Sequence, residues 1–466
     1  VISAPRFGGM VISFFKGSQL LGGHLVIGVH RKWFSALAAA LLVAGCASKP
    51  RQLMPTPVVY QEPGAVSSVV QPDEGRGTST DVDLLYITDR GPETDPESTL
   101  PYGQTRSQAI AFGSARVEIG PGVPWETLER ESRLAERTRD LDLALGRVTE
   151  LGRFPKEPYE LEFRSDGVYR DAADMRQHNA AQRLLREELQ RRLARSPSKE
   201  VVLYVHGFNE TFATAAFTAA ELCHFLGREP VCAFFTWPAS STGNFLISYT
   251  STTESARYAE NHLRKMVRLL ATTPGVEGVQ LLAHSRGTAL LMNTVRDLLT
   301  EAIAAGKEPT DVLHIDNLVL FSPDIDLDLF GQDITGGISD PDMFSVWPSQ
   351  RIPRGLRGRL TVYSSPQDRA LFVSRILFRS RTRVGNVRAE DVPAVAQRYL
   401  EPFDKVDVVV YEGKRTDTFG HSYFTTNPRV SSDVIQLLRF RKKPGEPGRE
   451  LLQVGPIVWK FPADEE

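Results

Sequence analysis

The sequence predicts an α/β fold in which helices cover both faces of a mostly parallel central sheet. Two features of residues 200–440 predict it: short runs of β-branched and apolar residues recur, and amphipathic helical patterns separate each run from the next. Parallel strands are joined by helical crossovers, and strands covered on both faces are apolar along almost their whole length. Side chains that follow these strands should meet at the carboxyl edge of the sheet.

The predicted core elements alternate along the chain. The predicted strands are Val201–Val205, Val231–Trp237, Val279–Ala283, Leu318–Phe321, Leu360–Tyr363 and Val406–Tyr411. The predicted helices are Ala213–Leu226, Ser255–Leu270, Gly287–Ala304, Ala370–Phe378 and Val392–Leu400. This order places His206, Ser285 and Asp368 at the carboxyl ends of strands, and hence at one edge of the sheet.

Residues 81–440 are expected to form one domain, in which residues 81–198 are an extension before the first core strand. We predict strands at Leu84–Thr88 and Ile110–Ile119 in this extension, and charged helices around Trp125–Leu151 and Ala172–Ser196. Residues 441–466 are predicted to be a loosely held tail with one strand at Pro456–Phe461.

The segment Leu281–Gly287 contains an apolar run that ends in a serine, and a helical pattern follows at once. This order is typical of a nucleophile elbow, a strand-to-helix turn so tight that the serine takes a positive φ. Only small side chains fit two positions before and after such a serine, and Ala283 and Gly287 occupy those positions. We therefore predict that Ser285 is a nucleophile. The alternative from these residues alone is an ordinary helix N-terminus with a serine beside it.

Two further segments complete the candidate site. The strand Val201–Val205 ends in H-G-F-N (206–209), a sequence typical of a loop whose backbone N–H groups receive an oxyanion. We predict the N–H groups of Phe208 and Arg286 to be the oxyanion donors. His421 lies in a loop after the last core strand and is the predicted general base.

The acid of the site has two candidates. In one known chain order of such triads the acid lies between serine and histidine, and Asp368, in the loop after Leu360–Tyr363, is the preferred choice. Asp324 follows the preceding strand and is the alternative acid. The other interpretation of Asp324 and Asp326 is capping of the helix that begins at Leu327, because a carboxylate satisfies the free N–H groups of a helix start.

Several motifs together resemble a bacterial α/β-hydrolase family of unknown function. They are H-G-F-N, F-F-T-W-P-A-S, L-A-H-S-R-G, S-P-D-I-D, and G-H-S-Y-F with N-P-R just after it. The resemblance covers roughly residues 82 to 436. It implies an α/β-hydrolase fold in which Ser285, His421 and Asp368 are nucleophile, base and acid. The A-H-S form of the family also accounts for an alanine at position 283.

These residues predict a serine hydrolase that cleaves carboxylic esters of small molecules or lipids through an acyl-enzyme. The alternative is a catalytically idle protein that uses the same fold as a binding module. We expect no cofactor and no metal, since the nine histidines show no ligand spacing. His206 and His284 are interpreted as side chains that pack and hydrogen-bond around the elbow.

The amino terminus has the pattern of an export signal. Basic residues 30–32 precede an apolar stretch from Trp33 to Ala44, and the small residues that follow end in Cys46, which resembles a bacterial lipobox. Residues 1–45 are therefore predicted to be a signal segment, with residues 1–28 as an over-extended translation start. An ordinary secretory signal and a buried helix are the alternatives.

Residues 46–80 are rich in Pro, Gln, Ser and Gly and are predicted to be a flexible tether. The tether would begin at a lipid-modified Cys46. We therefore expect a domain that is anchored to a membrane of the bacterial cell envelope and works on the periplasmic side.

Composition excludes two classes of protein. A formal net charge of −2 and a hydrophobic content of 41% exclude a basic nucleic-acid-binding protein and a disordered chain. Of the three cysteines, Cys46 is assigned to the lipid. Cys223 and Cys232 remain, and in an oxidising envelope they form either a disulfide or two buried thiols.

Overall fold

The computed structural model describes residues 50–61, 68–70, 78–239, 245–343, 351–378 and 382–463. The predicted signal segment, the over-extended start and Cys46 lie outside these residues, as do parts of the predicted tether. Among the helices of the described ranges, none combines the length and the apolar character that a membrane crossing requires.

The described strands form one large central sheet and one separate hairpin. They are β1 (Asp81–Pro92), β2 (Tyr102–Ile119), β3 (Leu143–Arg153), β4 (Leu161–Arg164), β5 (Gly167–Arg170), β6 (Glu200–Val205), β7 (Val231–Thr236), β8 (Gly278–His284), β9 (Ile315–Phe321), β10 (Leu360–Ser364), β11 (Val406–Val410), β12 (Leu452–Gly455) and β13 (Val458–Lys460). β4 and β5 form the hairpin, and the sheet has the order β12-β13-β11-β10-β9-β8-β6-β7-β1-β2-β3. From β13 to β1 in this order the strands run parallel.

The described helices alternate with the core strands. They are α1 (Trp125–Glu131), α2 (Ala172–Arg195), α3 (Phe212–Phe225), α4 (Phe245–Ala271), α5 (Gly287–Ala304), α6 (Pro309–Val312), α7 (Leu327–Ser339), α8 (Arg369–Phe378), α9 (Ala394–Leu400), α10 (Tyr423–Thr426) and α11 (Pro428–Leu438). Short 3₁₀ helices lie at Val58–Tyr60, Val384–Asn386, Ala389–Asp391 and Glu401–Phe403. α5 has the predicted bounds, whereas α4 begins at Phe245 instead of Ser255.

The sheet separates two hydrophobic cores. Leu203 of β6 packs into one core and its neighbour Tyr204 into the other, and Leu281 and Leu282 of β8 divide in the same way. Side chains of α3 and α11 cover one face, and side chains of α2, α4 and α5 cover the other. Each large apolar side chain buried in this way contributes about 1.5–3 kcal/mol. The predicted fold class, a mostly parallel sheet covered on both faces, is confirmed.

The prediction of a helix over Trp125–Leu151 is wrong beyond α1. β3 begins at Leu143 and pairs antiparallel with β2, so that Leu145 lies opposite Val117 and Val148 lies opposite Ala115. Pairing with β2 supplies a hydrogen-bond ladder and a surface to pack on, which outweighs a local preference for helix. Because the pairing is with another strand, and not within the segment itself, the local pattern does not reveal it.

The described part of the predicted tether packs against the domain. Leu53, Met54 and Tyr60 are buried. The backbone N–H of Met54 donates to Glu221 at 2.8 Å, and Arg51 forms an ion pair with the same carboxylate at 2.6 Å. Glu221 is buried on α3, and a buried carboxylate requires donors and a positive charge. The tether prediction is therefore wrong for this part, because its residues satisfy a buried charge.

The carboxyl-terminal residues are also part of the domain. The strand predicted at Pro456–Phe461 is present as β13, which extends the parallel sheet beside β11. The fully buried Arg449 forms an ion pair with Asp433 of α11 at 2.9 Å, and the hydroxyl of Tyr363 donates to the same carboxylate at 2.5 Å. The prediction of a loosely held tail is therefore wrong for residues 441–463, because they complete the sheet and neutralise a buried charge.

Cys223 at the end of α3 and Cys232 on β7 form a disulfide bond, with their Cα atoms 6.0 Å apart. The sequence left a disulfide and two buried thiols as alternatives. The structure contains the disulfide, which links a helix to the core strand that follows it.

We expect the substitution Arg449→Ala to lower the free energy of unfolding by about 3–5 kcal/mol, because it leaves Asp433 as an uncompensated buried charge. Lys443→Ala is the matched control, since its ion pair with Asp404 is exposed on both sides and should contribute less than about 1 kcal/mol. Urea denaturation of both variants measures the difference. Equal, small losses would contradict a structural role for the carboxyl-terminal residues.

Candidate active site

Ser285 lies in a sharp turn between β8 and α5. Its φ is 52°, a left-handed conformation that costs a residue with a side chain about 1–2 kcal/mol. Its N–H donates to the carbonyl oxygen of Phe321 at 2.9 Å, which joins the turn to β9. A Cβ on Gly287 would lie 2.2 Å from the carbonyl oxygen of His206, so the turn has no room for a side chain there. This is the geometry of the predicted nucleophile elbow.

The H-G-F-N loop after β6 lies directly against the serine. A Cβ on Gly207 would be 2.7 Å from the Cβ of Ser285. Asn209 has a φ of 61°, and its N–H donates to the carbonyl oxygen of Ala239 at 2.6 Å. Phe208 therefore lies between a residue that closely approaches Ser285 and a residue whose backbone is held by a hydrogen bond.

His206 supports this loop as a neutral side chain. Its ring stacks on Trp237 with 5.4 Å between the ring centroids, and burial, together with the nearby Arg90, holds its pKa well below the usual value. The backbone N–H of Trp237 donates to Nε2 at 3.1 Å, which leaves the proton on Nδ1 to donate to the carbonyl oxygen of Gly207 at 2.8 Å. Arg90 also donates to the carbonyl oxygen of Glu210 at 2.7 Å. Both ends of the loop are thus held by buried polar groups.

His421 and Asp368 form a hydrogen-bonded pair at the same edge of the sheet. Nδ1 of His421 lies 2.6 Å from Oδ2 of Asp368, and the other carboxylate oxygen accepts from the N–H of Leu371 at 3.0 Å. The ring of His421 lies 4.6 Å from the ring of His284, the residue directly before Ser285. The structure therefore pairs the predicted base with the predicted acid, and it packs the base against the residue that precedes the predicted nucleophile.

The pairing with Asp368 determines which nitrogen of His421 can act as a base. A neutral imidazole that donates from Nδ1 carries its lone pair on Nε2. Among the described residues Ser285 Oγ takes part in no hydrogen bond, and such bonds commonly tighten only when a substrate is bound. The transfer of a proton from Ser285 to Nε2 is accordingly part of the function proposed below.

The loop that carries His421 is organised by Asp417, which the sequence analysis missed. Its carboxylate accepts from the N–H groups of Phe419 at 2.9 Å, His421 at 3.2 Å and Ser422 at 2.9 Å. The carbonyl oxygen of His421 accepts from Ser322 Oγ at 3.0 Å. An aspartate that precedes a glycine in a loop often bonds its own backbone in this way, and this pattern could have identified Asp417.

The two neighbouring histidines have opposite pKa shifts. Burial alone would lower the pKa of His421, but the charge of Asp368 and its hydrogen bond outweigh burial, and the pKa is raised. Burial, reinforced by the charge of His421, lowers the pKa of His284 well below the usual value. His284 therefore stays neutral, and its Nε2–H donates to the carbonyl oxygen of His421 at 3.1 Å. Of these two histidines, His421 is therefore the one suited to take up a proton.

Asp324, the alternative acid, lies in a different buried cluster. It forms ion pairs with Arg286 at 3.0 Å and with Arg383 at 3.3 Å, and it accepts from Ser374 Oγ at 2.6 Å. Capping is wrong for Asp324, because two arginines and a hydroxyl occupy its carboxylate. Capping is right for Asp326, whose side chain accepts from the first N–H groups of α7. The structure thus places Asp368, and not Asp324, on the histidine.

The side chain of Tyr249 contacts the side chains of both predicted oxyanion residues. No sequence pattern predicts these contacts. Its ring contacts Phe208 with 5.2 Å between the centroids, and the guanidinium carbon of Arg286 lies 4.9 Å from the centroid of the same ring. The guanidinium of Arg286 donates to the tyrosine hydroxyl at 2.5 Å, and that hydroxyl donates to Asp324. Tyr249 belongs to the first turns of α4, which lie outside the predicted helix.

The site as a whole has the groups that acyl transfer requires. It contains a buried serine on a tight turn, a histidine oriented by a carboxylate, and a loop packed against the serine. Within the part of the chain that the structure describes, no cluster of three or more His, Cys, Asp or Glu side chains could hold a metal ion.

Comparison with known proteins identifies the family. A family model described as "Alpha/beta hydrolase of unknown function (DUF900)" matches residues 181–441. Among solved structures, a Pyrobaculum calidifontis esterase aligns at a TM-score of 0.29 and 13% identity, over 53% of this chain and 78% of that chain.

Two further solved structures align at a similar level. A Pyrococcus furiosus esterase has a TM-score of 0.21 and 14% identity over 46% of this chain and 74% of that chain. A putative hydrolase from Agrobacterium vitis has a TM-score of 0.21 and 13% identity over 42% of this chain and 78% of that chain.

No curated protein sequence matches the chain. The family model covers more than half of the 466 residues and spans the elbow, the acid and the histidine. The chain belongs to the alpha/beta hydrolase family of unknown function.

Proposed function

We propose that this protein is a serine hydrolase that cleaves carboxylic esters through an acyl-enzyme. The observation that carries the proposal is the position of His421, which is hydrogen-bonded to Asp368 at 2.6 Å and packed against the residue that precedes Ser285. A carboxylate that orients an imidazole beside a serine on an elbow is the arrangement that activates a hydroxyl for acyl transfer.

The mechanism follows from the protonation states at the site. Nε2 of His421 accepts the proton of Ser285 as Oγ attacks the ester carbonyl, and the imidazolium is stabilised by Asp368. The tetrahedral intermediate expels the alcohol, which takes the proton from Nε2. Water then attacks the acyl-serine with His421 again as the base, which releases the carboxylic acid and restores the serine.

The N–H groups of Phe208 and Arg286 are the proposed oxyanion donors. The close approach of Gly207 to the serine and the contacts of Tyr249 with the side chains of Phe208 and Arg286, which hold both residues in place, support this assignment. One well-placed donor of this kind contributes about 3 kcal/mol to the transition state. The buried polar groups that hold the loop are important because a donor stabilises the transition state only if it is already in place when charge develops.

We also propose that the protein works in the bacterial cell envelope, held at a membrane by a lipid on Cys46. The order of basic, apolar and small residues before Cys46 supports this location. The disulfide between Cys223 and Cys232 is a second, independent support, because disulfides persist in oxidising compartments and are rare in the cytosol.

The test of the enzymatic proposal is covalent labelling by a fluorophosphonate probe. We expect the wild-type chain to be labelled on Ser285, and Ser285→Ala to remove both labelling and the hydrolysis of p-nitrophenyl acetate. Asp326→Asn is a suitable control, because Asp326 caps α7 and takes no part in the triad. An unlabelled wild-type protein that hydrolyses no ester would leave the fold as a binding module.

The pH dependence of hydrolysis tests the role of His421. Since the base must be neutral and its pKa is raised, the acidic limb of the kcat/KM profile should lie above the ordinary histidine value of about 6.5. Asp368→Asn removes the charge that raises this pKa, so its limb should move to lower pH while kcat falls by about ten-thousandfold. A profile that is flat from about pH 5 to 8 contradicts histidine as the base.

The envelope proposal is tested by the mature amino-terminal residue. Mass spectrometry of the protein from bacterial membranes should find a chain that begins at Cys46 and carries the mass of attached acyl chains. Cys46→Ser should abolish that mass and release the protein from the membrane fraction. A cytosolic chain with residues 30–45 still attached would exclude the anchor.

A further inference from the structure

One face of α8 exposes large apolar side chains next to the catalytic acid. Phe372, Val373 and Ile376 point outward, with spacings of one, three and four residues that place them on one stripe of the helix. The opposite face is fixed, because Leu371 is buried and Ser374 Oγ donates to Asp324 at 2.6 Å. The helix cannot rotate to hide the stripe without breaking this buried contact.

Two further exposed apolar side chains lie on segments whose backbones bond to α8 or to the chain just after it. The N–H of Arg369, at the start of α8, donates to the carbonyl oxygen of Phe419 at 2.9 Å, and Phe419 is exposed two residues before His421. Leu329 is exposed on α7, whose start forms a β-bridge with Arg383 just after α8.

These five side chains are here called the apolar rim: Leu329, Phe372, Val373, Ile376 and Phe419. Their relative exposures lie between 44% and 62%. Single exposed apolar residues are normal on a soluble protein, whereas apolar residues concentrated around a functional site mark a surface that meets a partner or a membrane. The rim lies on the three segments that carry or flank Asp324, Asp368 and His421.

Cationic side chains accompany the rim. Arg369 is exposed at the start of α8, and the guanidinium carbon of Arg375 lies 4.9 Å from the ring centroid of Phe372. Asp328 is the acidic neighbour on α7. Apolar side chains with guanidinium groups beside them match a surface that presents hydrocarbon together with phosphate, since the stems lie in the apolar layer and the heads reach the phosphate.

The position of the rim decides what can cover it. A protein partner seated there would close the edge at which Ser285 and His421 lie. A lipid surface, in contrast, brings the ester carbonyl to that edge as it covers the rim. We propose that the apolar rim docks this protein on a phospholipid surface and that its substrates are long-chain acyl esters held in that surface, an inference that rests on the proposed ester hydrolase.

Vesicle flotation tests the docking directly. The full chain carries Cys46→Ser in every sample, so that no lipid attached to that residue contributes, and the vesicles are phosphatidylcholine with or without phosphatidylglycerol. The double variant Phe372→Gln with Ile376→Gln keeps good helix formers on α8 and should bind on the order of tenfold more weakly, because two large apolar side chains no longer leave water.

Leu452→Gln with Val454→Gln is the matched control. Both residues lie on β12, at the end of the sheet order, with exposures of 55% and 51%, and binding should equal that of the parent chain. Equal binding by the rim variant and the parent, or equal losses in the rim and control variants, would overturn the proposal. Binding that requires phosphatidylglycerol and is indifferent to the rim variant would also overturn it, because charge alone would then explain the attachment.

Enzyme rates separate this inference from the function on which it rests. We expect the rim variant to lower the rate on vesicle-held p-nitrophenyl palmitate relative to the rate on dissolved p-nitrophenyl acetate, and Ser285→Ala to bind vesicles as the parent does. If an active rim variant keeps the parent's ratio of the palmitate rate to the acetate rate, the role of the rim is overturned and the hydrolase proposal is not. Absence of turnover and of Ser285 labelling would overturn the hydrolase, while flotation would still decide whether the rim docks on lipid.

Discussion

The close crossing of the β8–α5 turn over the end of β6 is the constraint on which the rest of the site depends. It requires Ser285 to hold a φ of 52° and leaves 2.2 Å between a Cβ at position 287 and the carbonyl oxygen of His206. The strain is tolerated because buried strands surround the turn and because the serine N–H bonds to β9. The same crossing puts the serine side chain against the H-G-F-N loop. One packing contact therefore positions both the proposed nucleophile and the proposed oxyanion loop.

The order of the strands in the sheet places Asp368 and His421 at the same edge as the serine. β8, β9, β10 and β11 are neighbours in the parallel sheet, and their carboxyl ends therefore supply adjacent loops. Ser322, after β9, has a φ of 46° and donates to the backbone of His421. Asp368 follows β10, and His421 lies in the loop after β11. Strained residues at successive strand ends are expected where a fold fixes functional groups against local preference.

The sequence was sufficient for features with local or short-range causes. Apolar runs separated by helices predict the parallel sheet, and small residues on both sides of Ser285 predict the elbow. It was insufficient where contact with another segment of the chain decides the structure. β3 is a strand because β2 lies beside it, and residues near Met54 are ordered because the carboxylate of Glu221 on α3 needs donors. The sequence allows Asp324 to be an alternative acid or a helix cap, because a local pattern does not show its actual partners, Arg286 and Arg383.

The helix that carries most of the apolar rim, α8, and the first turns of α4, which carry Tyr249, bond to the same buried side chain. Ser374 of α8 and Tyr249 of α4 both bond Asp324, so the surface that would meet a lipid is joined through one buried carboxylate to the residue beside the nucleophile.

In the proposed reaction Ser285 itself carries the acyl group during turnover. Rapid acid quenching of the protein after mixing with a p-nitrophenyl ester, followed by mass spectrometry of its peptides, tests this step. We expect an added acyl mass on the peptide that contains Ser285, and none when His421 is replaced by alanine. Turnover with the acyl group on another residue, or with no acylated peptide at any time, would contradict it.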